Sequence, residues 1–512
     1  MSFLNSEVAS PARPVRPGWT LALVAAAAFL TSLDVMVVVT ALPTIRIQLD
    51  ASLSDLEWTV NAYNLAFACL MLTGSALGDR FGRLRIYVVG LSLFTLASAL
   101  AALAATVDVL VVARILQGIG AGVAIPVSLT LLSDAFPPHK RGLAMGVWGS
   151  VSGLAIAAGP VAGGLITQGL SWQWIFLLNV PFGLAAAVLS ALLLRESRGP
   201  RPKLDLIGLF LASFGVLGLV WAAVRAPSVG WSGVEVIVTL SAGVLLLVAF
   251  VARERSARYP MLPLRYFRIR AFSVANVATF FEHFALIGSL FMLAQLFQIG
   301  MGNGPLGTGL RMLAWTAMPL VVGTVAGRLA DRFGNRPFMV IGLLLQGIGL
   351  LWTSAEVAPG AAYGGMVAPL MLGGIGIAMC LPTTINMVLL SVPQVDVGVA
   401  SGANSSIREI GGVFGVVFLS GTFAVYGSYA SPASSMDGFR AALALGGAAS
   451  LIGMVAAVFA PGRRRIAEEA TARQGPALPQ TEISGSHAVS RRAEYPTDTS
   501  GGRAPHGPQS LV

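Results

Sequence analysis

Long apolar runs recur along the chain, separated by short polar breaks. They fall at about 19–43, 54–78, 85–105, 107–133, 142–168 and 174–194, then at about 205–225 and 232–252. A last group lies at about 271–298, 307–330, 337–356, 361–390, 397–427 and 438–460. A bilayer core about 30 Å thick is crossed by about 20 apolar residues in a helix. The runs therefore predict membrane-spanning helices grouped as six, two and six, fourteen in all. From about residue 463 the chain turns to Arg, Ala, Gly, Pro, Ser and Thr without periodicity, which predicts a disordered tail. The expected organisation is a polar N-terminal segment (1–18), a six-helix bundle (19–194), two additional spans with polar linkers (195–270), a second six-helix bundle (271–460) and a cytoplasmic tail (461–512).

Composition supports the pattern. Of the 512 residues, 55% are hydrophobic and 11% charged, against about 25% charged in an ordinary soluble domain. No soluble core needs apolar sequence over the whole length, so a soluble enzyme is excluded. The net charge of +10 invites a nucleic-acid partner, but its distribution argues otherwise. The loops after even-numbered runs carry 18 Arg and Lys, whereas those after odd-numbered runs hold Arg46, Arg225, Arg311 and Arg440. The positive-inside rule then places both termini in the cytoplasm. The inner loop Ser391–Asp396 has no cation, so the orientation rests on the sum. The first seventeen residues lack the short apolar region and cleavage site of a secretory signal, so the first run is expected to be retained as a span.

Several chemistries find no support. The two lysines, Lys140 and Lys203, stand outside any phosphate-binding Gly-Lys-Ser/Thr loop, so no nucleotide is expected. Cys69 and Cys380 lie inside apolar runs without the spacing of a metal site or disulfide framework. No His-Glu-x-x-His or Gly-x-Ser-x-Gly pattern occurs. Neither metal nor cofactor is expected, nor enzyme activity.

An internal repeat sets the architecture. Gly78-Asp79-Arg80-Phe81-Gly82-Arg83-Leu84-Arg85 recurs as Asp331-Arg332-Phe333-Gly334-Asn335-Arg336, with Asp79 and Asp331 standing 252 residues apart. Both copies follow the second span of a six-span block. Six spans with loops take roughly 200 residues and two more take roughly 50. Two inserted spans keep the second half in the orientation of the first, as a parallel repeat requires.

Ionisable residues inside the runs are the candidates for function, because a charge in lipid is expensive without water or a partner. Asp34 lies near the centre of the first run, where taking up a proton or pairing with a neighbouring helix would relieve it. Arg114 lies within the fourth run and keeps its proton. It suits either a fixed charge beside a titrating carboxylate or a plain clamp between helices. Glu282 and His283 share the ninth run. Successive helix residues point about 100° apart, so the two are not expected to face one cavity together, and His283 is expected against a neighbouring helix. Arg408 and Glu409 lie early in the thirteenth run, where Glu409 has three open roles: neutralising Arg408, acting at a cavity, or pairing with a facing helix. Gly149 and Gly153, four apart, predict close approach of another helix, and Pro160 permits a bend. Asp79 among Arg80, Arg83 and Arg85 predicts charge pairs that hold one conformation and release it in another.

Over residues 18–460 the chain resembles the major facilitator superfamily, and within it the fourteen-span drug:proton antiporter branch of multidrug efflux type. The resemblance is carried by Leu33-Asp34-Val35 through Ala41-Leu42-Pro43, by Gly78 to Arg85, and by Arg114 with Gly118 and Gly120. Gly149, Gly153, Gly159, Pro160, Gly163 and Gly164 resemble the antiporter motif of the fifth helix. Asn404 through Arg408, Gly411, Gly412 and Gly415 resemble the penultimate-helix signature.

The resemblance implies an all-α fold of two six-helix bundles with two inserted helices. It also implies cation recognition or proton coupling at Asp34 and Arg114, and a cavity-lining ninth span. Where relatives often carry an uncharged residue after Arg408, this chain has Glu409. The function expected is proton-driven export of amphipathic, drug-like molecules across the cytoplasmic membrane by a monomer in the bilayer. Its gating residues are expected to be Gly78, Asp79, Arg80, Gly82, Arg83, Asp331, Arg332 and Gly334. Export of an endogenous lipid, siderophore or secondary metabolite, proton-linked uptake, and a non-transporting sensor are the alternatives.

Overall fold

The structure, a computed structural model, describes residues 16–198, 205–257, 260, 262, 264–393 and 396–462. The expected N-terminal segment up to residue 15 and the tail beyond 462 lie outside the described residues. Those described are helical with short connections.

The first half contains α1 (Pro17–Gln48), α2 (Leu53–Phe81), α3 (Arg83–Ala102), α4 (Val107–Ala135), α5 (Pro138–Gly169), and the short α6 (Gln173–Leu177) followed by α7 (Asn179–Leu193). Next come α8 (Leu206–Val229) and α9 (Val234–Ser256). The second half contains α10 (Arg270–Gln295), α11 (Pro305–Thr316), α12 (Met318–Phe333), α13 (Asn335–Glu356), α14 (Tyr363–Leu390), α15 (Val397–Tyr426) and α16 (Pro432–Val458).

Among the described residues, twelve helical segments are long and apolar enough to cross a membrane. The two expected runs that fall short have visible reasons. α2 carries Asp55, Glu57, Asn61, Asn64, Asp79 and Arg80, and the run at 307–330 is broken at Ala317 into α11 and α12, where Pro319 lacks an amide hydrogen.

The repeated loop is built the same way twice. Gly82 at φ +115° is the single joint between α2 and α3, and Gly334 at φ +90° joins α12 to α13. Both lie in the left-handed region that side chains other than glycine rarely adopt. Ser52 starts α2 with a capping box: its hydroxyl accepts from the Asp55 amide at 3.2 Å, while its own amide donates to the Asp55 carboxylate at 2.8 Å.

Within the first half α1 packs on α5, α2 and α3 pack on α4, and α3 packs on α7. The second half repeats the scheme, with α10 on α15 and α16 and α13 on α14 and α16. Lipid is as apolar as leucine, so membrane helices associate through close packing rather than by escaping water. Small residues supply it here. A Cβ on Gly411 or Gly415 of α15 would strike the backbone carbonyl of Phe280 or Phe284 on α10. α8 packs on α9, and it also lies across α2 and α15, where Val216 and Val220 join Leu65, Val413 and Val417.

Candidate functional site

Asp34 and Arg114, brought together from α1 and α4, form the most completely buried charged group in the first half. Asp34 is 2% exposed and Arg114 1%. Arg114 Nη1 donates to Asp34 Oδ2 at 2.5 Å. Asp34 Oδ1 accepts from Asn179 Nδ2 of α7 at 2.7 Å and from Gln117 Nε2 of α4 at 3.2 Å. Arg114 spends its other donors on Gln117 Oε1 at 3.0 Å and on the Thr59 carbonyl of α2 at 3.1 Å. Its guanidinium lies 4.3 Å from the Tyr63 ring centre and 5.9 Å from that of Phe176. Two charges taken out of water are tolerable only when remaining lone pairs and donors are satisfied, and here side chains of α1, α4 and α7 and a backbone carbonyl of α2 satisfy them.

The second half is built differently. Glu282 of α10 is 1% exposed, and its Oε2 meets Nδ1 of His283. Although successive helix residues leave the backbone about 100° apart, the two side chains meet each other, and His283 makes its polar contact within α10. Glu282 Oε1 is buried without a hydrogen-bond partner among the described residues. Gln346 of α13 donates to the Glu282 backbone carbonyl at 3.1 Å. An arginine holds the acid of the first half, whereas a histidine meets that of the second.

Arg408 and Glu409 of α15 pair with each other at 3.2 Å, with side chains 22% and 16% exposed. Glu409 also acts electrostatically on Tyr63, as do Asp34 and Arg114. Tyr63 is the ring over which the Arg114 guanidinium lies.

At the end of the bundle that carries the repeated loop, Asp79 pairs with Arg83 at 2.7 Å, and Arg83 also reaches Asp134 at 2.5 Å. Ser197 donates to Asp134 at 2.7 Å, and the Glu196 carboxylate accepts from the Leu84 amide at 2.9 Å. A Cβ on Gly82 would press on Glu196, and one on Gly78 would press on Val127. The cluster is therefore Asp79–Arg83–Asp134; Arg80 lies 5.5 Å from the Phe81 ring centre, and Arg85 turns to Glu196 at 3.7 Å. In the second copy Arg332 sits over Phe333 as Arg80 does over Phe81; the side chain of Asp331 lies outside the described residues. At the same end Asp396 accepts from Tyr266. Burial first, then the adjacent carboxylate, pushes the Tyr266 phenol above its ordinary range.

The glycines of α5 correct one expectation. A Cβ on Gly149 or Gly153 would meet nothing within 4 Å. Close approach comes later along the helix, where a Cβ on Gly159 would strike Met36, on Gly163 Thr40 and on Gly164 Pro305, while Gly309 of α11 lies against the Pro160 carbonyl. Thr316 of α11 donates to the Ala157 carbonyl at 3.4 Å, Gln298 to the Thr40 carbonyl at 2.7 Å, and the Leu306 amide to Gln168 at 3.1 Å. Arg46 stacks 3.9 Å from the Tyr429 ring centre. The contacts of Gly159 and Gly163 hold α5 on α1, while the others join the halves away from the repeated loop. Towards the loop end Gly146, Gly149 and Gly153 of α5 and Gly323 and Gly327 of α12 have open space where a Cβ would stand. The halves meet at one end of these helices and diverge towards the other.

Sequence reasoning missed Asn179, Gln117, Tyr63, Asp134, Glu196 and Glu57. Gln117, one helical turn from Arg114, was open to discovery from spacing alone. Among the described residues no cluster of His, Cys, Asp and Glu is placed to hold a metal ion.

The family model described as the Major Facilitator Superfamily matches residues 24–314 and 275–493. A tetracenomycin C resistance and export protein of Streptomyces glaucescens is 36% identical over 406 residues, covering 79% of this chain and 75% of that protein. A puromycin resistance protein of Streptomyces alboniger is 34% identical over 435 residues, covering 83% and 86%. The crystal structure of a human organic anion transporter superposes with a TM-score of 0.60 at 16% identity, covering 87% of this chain and 100% of the other, a likeness of fold alone. This multi-pass membrane protein belongs to the major facilitator superfamily and is a transporter.

Proposed function

We propose that the protein is a proton-coupled antiporter that exports amphipathic, drug-like molecules by alternating access. In this reading it works as a monomer of the fourteen-span branch, with α2 and the α11–α12 pair as the two further spans. The repeated loop and both termini face the cytoplasm, and the contacts far from the loop form an outer seal. The state described is then closed outside and open inside. Two six-helix halves (19–194 and 271–460) rock about the site, with α8 and α9 inserted between them.

The observation that carries the coupling is the Asp34–Arg114 pair. A proton on Asp34 removes the charge that holds Arg114, freeing the guanidinium from a place where it is otherwise over-determined by α1, α2 and α4. Tyr63 and Thr59 then pass that release to α2, which faces the other half. Glu282, with one oxygen unpartnered among the described residues, and Glu409, partly exposed beside Arg408, are the further groups that exchange a proton or meet a cationic substrate. Export rather than uptake is favoured by relatives named for resistance and export.

The experiment uses proteoliposomes with an imposed pH gradient and a toxic cation as substrate, chosen by screening an overexpressing host. Asp34→Asn keeps the shape and a hydrogen-bonding group but loses the titratable charge, so gradient-driven transport is expected to fall to the leak rate in a normally folded protein. Transport at the wild-type rate removes Asp34 from coupling. Efflux that persists when only the proton gradient is dissipated contradicts the energy source.

A further inference from the structure

One buried acid takes no part in this scheme. Glu57 lies one turn into α2, 6% exposed, beside Ser420 on α15. Among the described residues it makes no ion pair. Ser420 already donates its hydroxyl hydrogen to the Val416 carbonyl at 2.7 Å, so it has little to offer an anion.

Glu57 also heads a stripe. Asn61, Asn64 and Ala68 follow at spacings of four, three and four along one face of the helix. The stripe starts beside Ser420 and ends where Ser406 of α15 donates to the Ala68 carbonyl at 2.9 Å, so it runs along the seam between the halves. Asn61 and Asn64 are 0% and 1% exposed, and none of their amide atoms has a hydrogen-bond partner among the described residues. Buried amides without protein partners are rare, and polar ones are what water or a polar solute satisfies.

The charged groups around Glu57 do not neutralise it. Arg46 at the end of α1 is stacked on Tyr429, whose phenol burial pushes up and which donates to Gln295. Arg225 of α8 is paired with Glu235 at 3.1 Å, and Arg114 of α4 is held by Asp34. Asp50, Asp55 and Asp108 lie at the surface of the same end or half-buried there and add only like charge. Two residues on from Glu57, Thr59 carries the carbonyl that accepts from Arg114. One rigid helix therefore links Glu57 in the seam to the buried pair.

We infer that Glu57 is a second proton-binding residue, placed in the outer seal, where α2 and α15 close over its neutral form and part over its anion. The inference rests on the antiporter reading for its biological direction. When the seal opens, the carboxylate meets external water; a hydronium ion gives its proton to a Glu57 oxygen and leaves as water. The neutral side chain then fits the seam, α2 returns against α15, and the Thr59 carbonyl is restored to Arg114. External acid thus drives closure of the outer side, the step an exporter must complete after releasing its cargo.

The test follows the seal, not transport. In full-length protein with Cys69→Ser and Cys380→Ser, a Thr40→Cys reporter sits fully buried under Gln298 in the seal. Labelling by a membrane-impermeant thiol reagent is measured against external pH and normalised to Ser232→Cys, exposed in the α8–α9 turn. Labelling of Thr40→Cys is expected to rise with pH by up to about tenfold per unit, the slope that one linked proton gives. Glu57→Gln is expected to hold labelling low and flat, while Glu57→Asp keeps a slope displaced along the pH axis. A wild-type slope in Glu57→Gln, or no slope in the parent, overturns the inference.

Gradient-driven transport in the same liposomes separates the two readings. A Glu57-dependent slope without gradient-driven transport sinks the antiporter and leaves the seal. Gradient-driven transport with an unchanged slope in Glu57→Gln does the reverse.

Discussion

Arg114→Met is expected to lose about 3–5 kcal/mol of stability, the usual cost of stripping one partner from a buried ion pair. The substitution leaves Asp34 at the centre of the first bundle with Asn179 and Gln117 as its donors and no cation beside it. It also orphans the Thr59 carbonyl, which tethers α2. Replacing both members, as Asp34→Leu with Arg114→Met, removes the charges together and is expected to recover most of the loss, because the large term is the uncompensated charge and not the missing contact. Thermal unfolding in detergent measures both. A double variant as unstable as Arg114→Met alone means that the stability comes from packing of the guanidinium against Tyr63 and Phe176, and the pair is then not the switch described above.

The second large effect is expected at Gly309. An alanine there would press its methyl into the carbonyl of Pro160 and the backbone of Val161, neither of which is the soft end of a side chain. Overpacking of this kind costs about 1–3 kcal/mol, and all of it falls on the state in which α5 and α11 touch. Converted to a population, that is about 5–150-fold towards the state with the outer seal open. The Thr40→Cys reporter should therefore label faster at every pH. Gly153→Ala, with open space around it, is expected to leave that labelling unchanged or reduce it, since its cost falls on the opposite state. Equal labelling in the two alanine variants would mean that the glycines of α5 and α11 serve packing in general and have no bearing on which end is shut.

Much of the architecture was legible in the pattern of apolar residues and in the repeat. The loop Gly78–Arg85 and its second copy predicted two halves of the same build, and the joints at Gly82 and Gly334 repeat down to the backbone angle. Asp34 and Arg114 were legible as charges in lipid, but their pairing across 80 residues was not, nor was the part played by Asn179. A neutral amide in an apolar run gives no signal until its neighbours are known. Gly149 and Gly153 were misjudged for a different reason: a run of small residues says that helices can meet and cannot say at which end they do so in a given state. Glu57 was passed over because it stands close to Asp50 and Asp55 and so resembles a surface acid near a helix start. The signal that would have found it is the spacing of Glu57, Asn61 and Asn64, which sets a polar line on one face of the helix.

The α8–α9 hairpin gives the molecule a blind side. Two seams join the halves, one where α5 packs on α11 and α12 and one where α2 packs on α15, and α8 lies along the second with Val216 and Val220 packed against Leu65, Val413 and Val417. If the cargo is a greasy molecule diffusing sideways within a leaflet, it would find that flank covered by α8 and would arrive by the other. In the antiporter reading, hydrogen ions meeting Glu57 in the α2–α15 seam and cargo would then travel by separate doors.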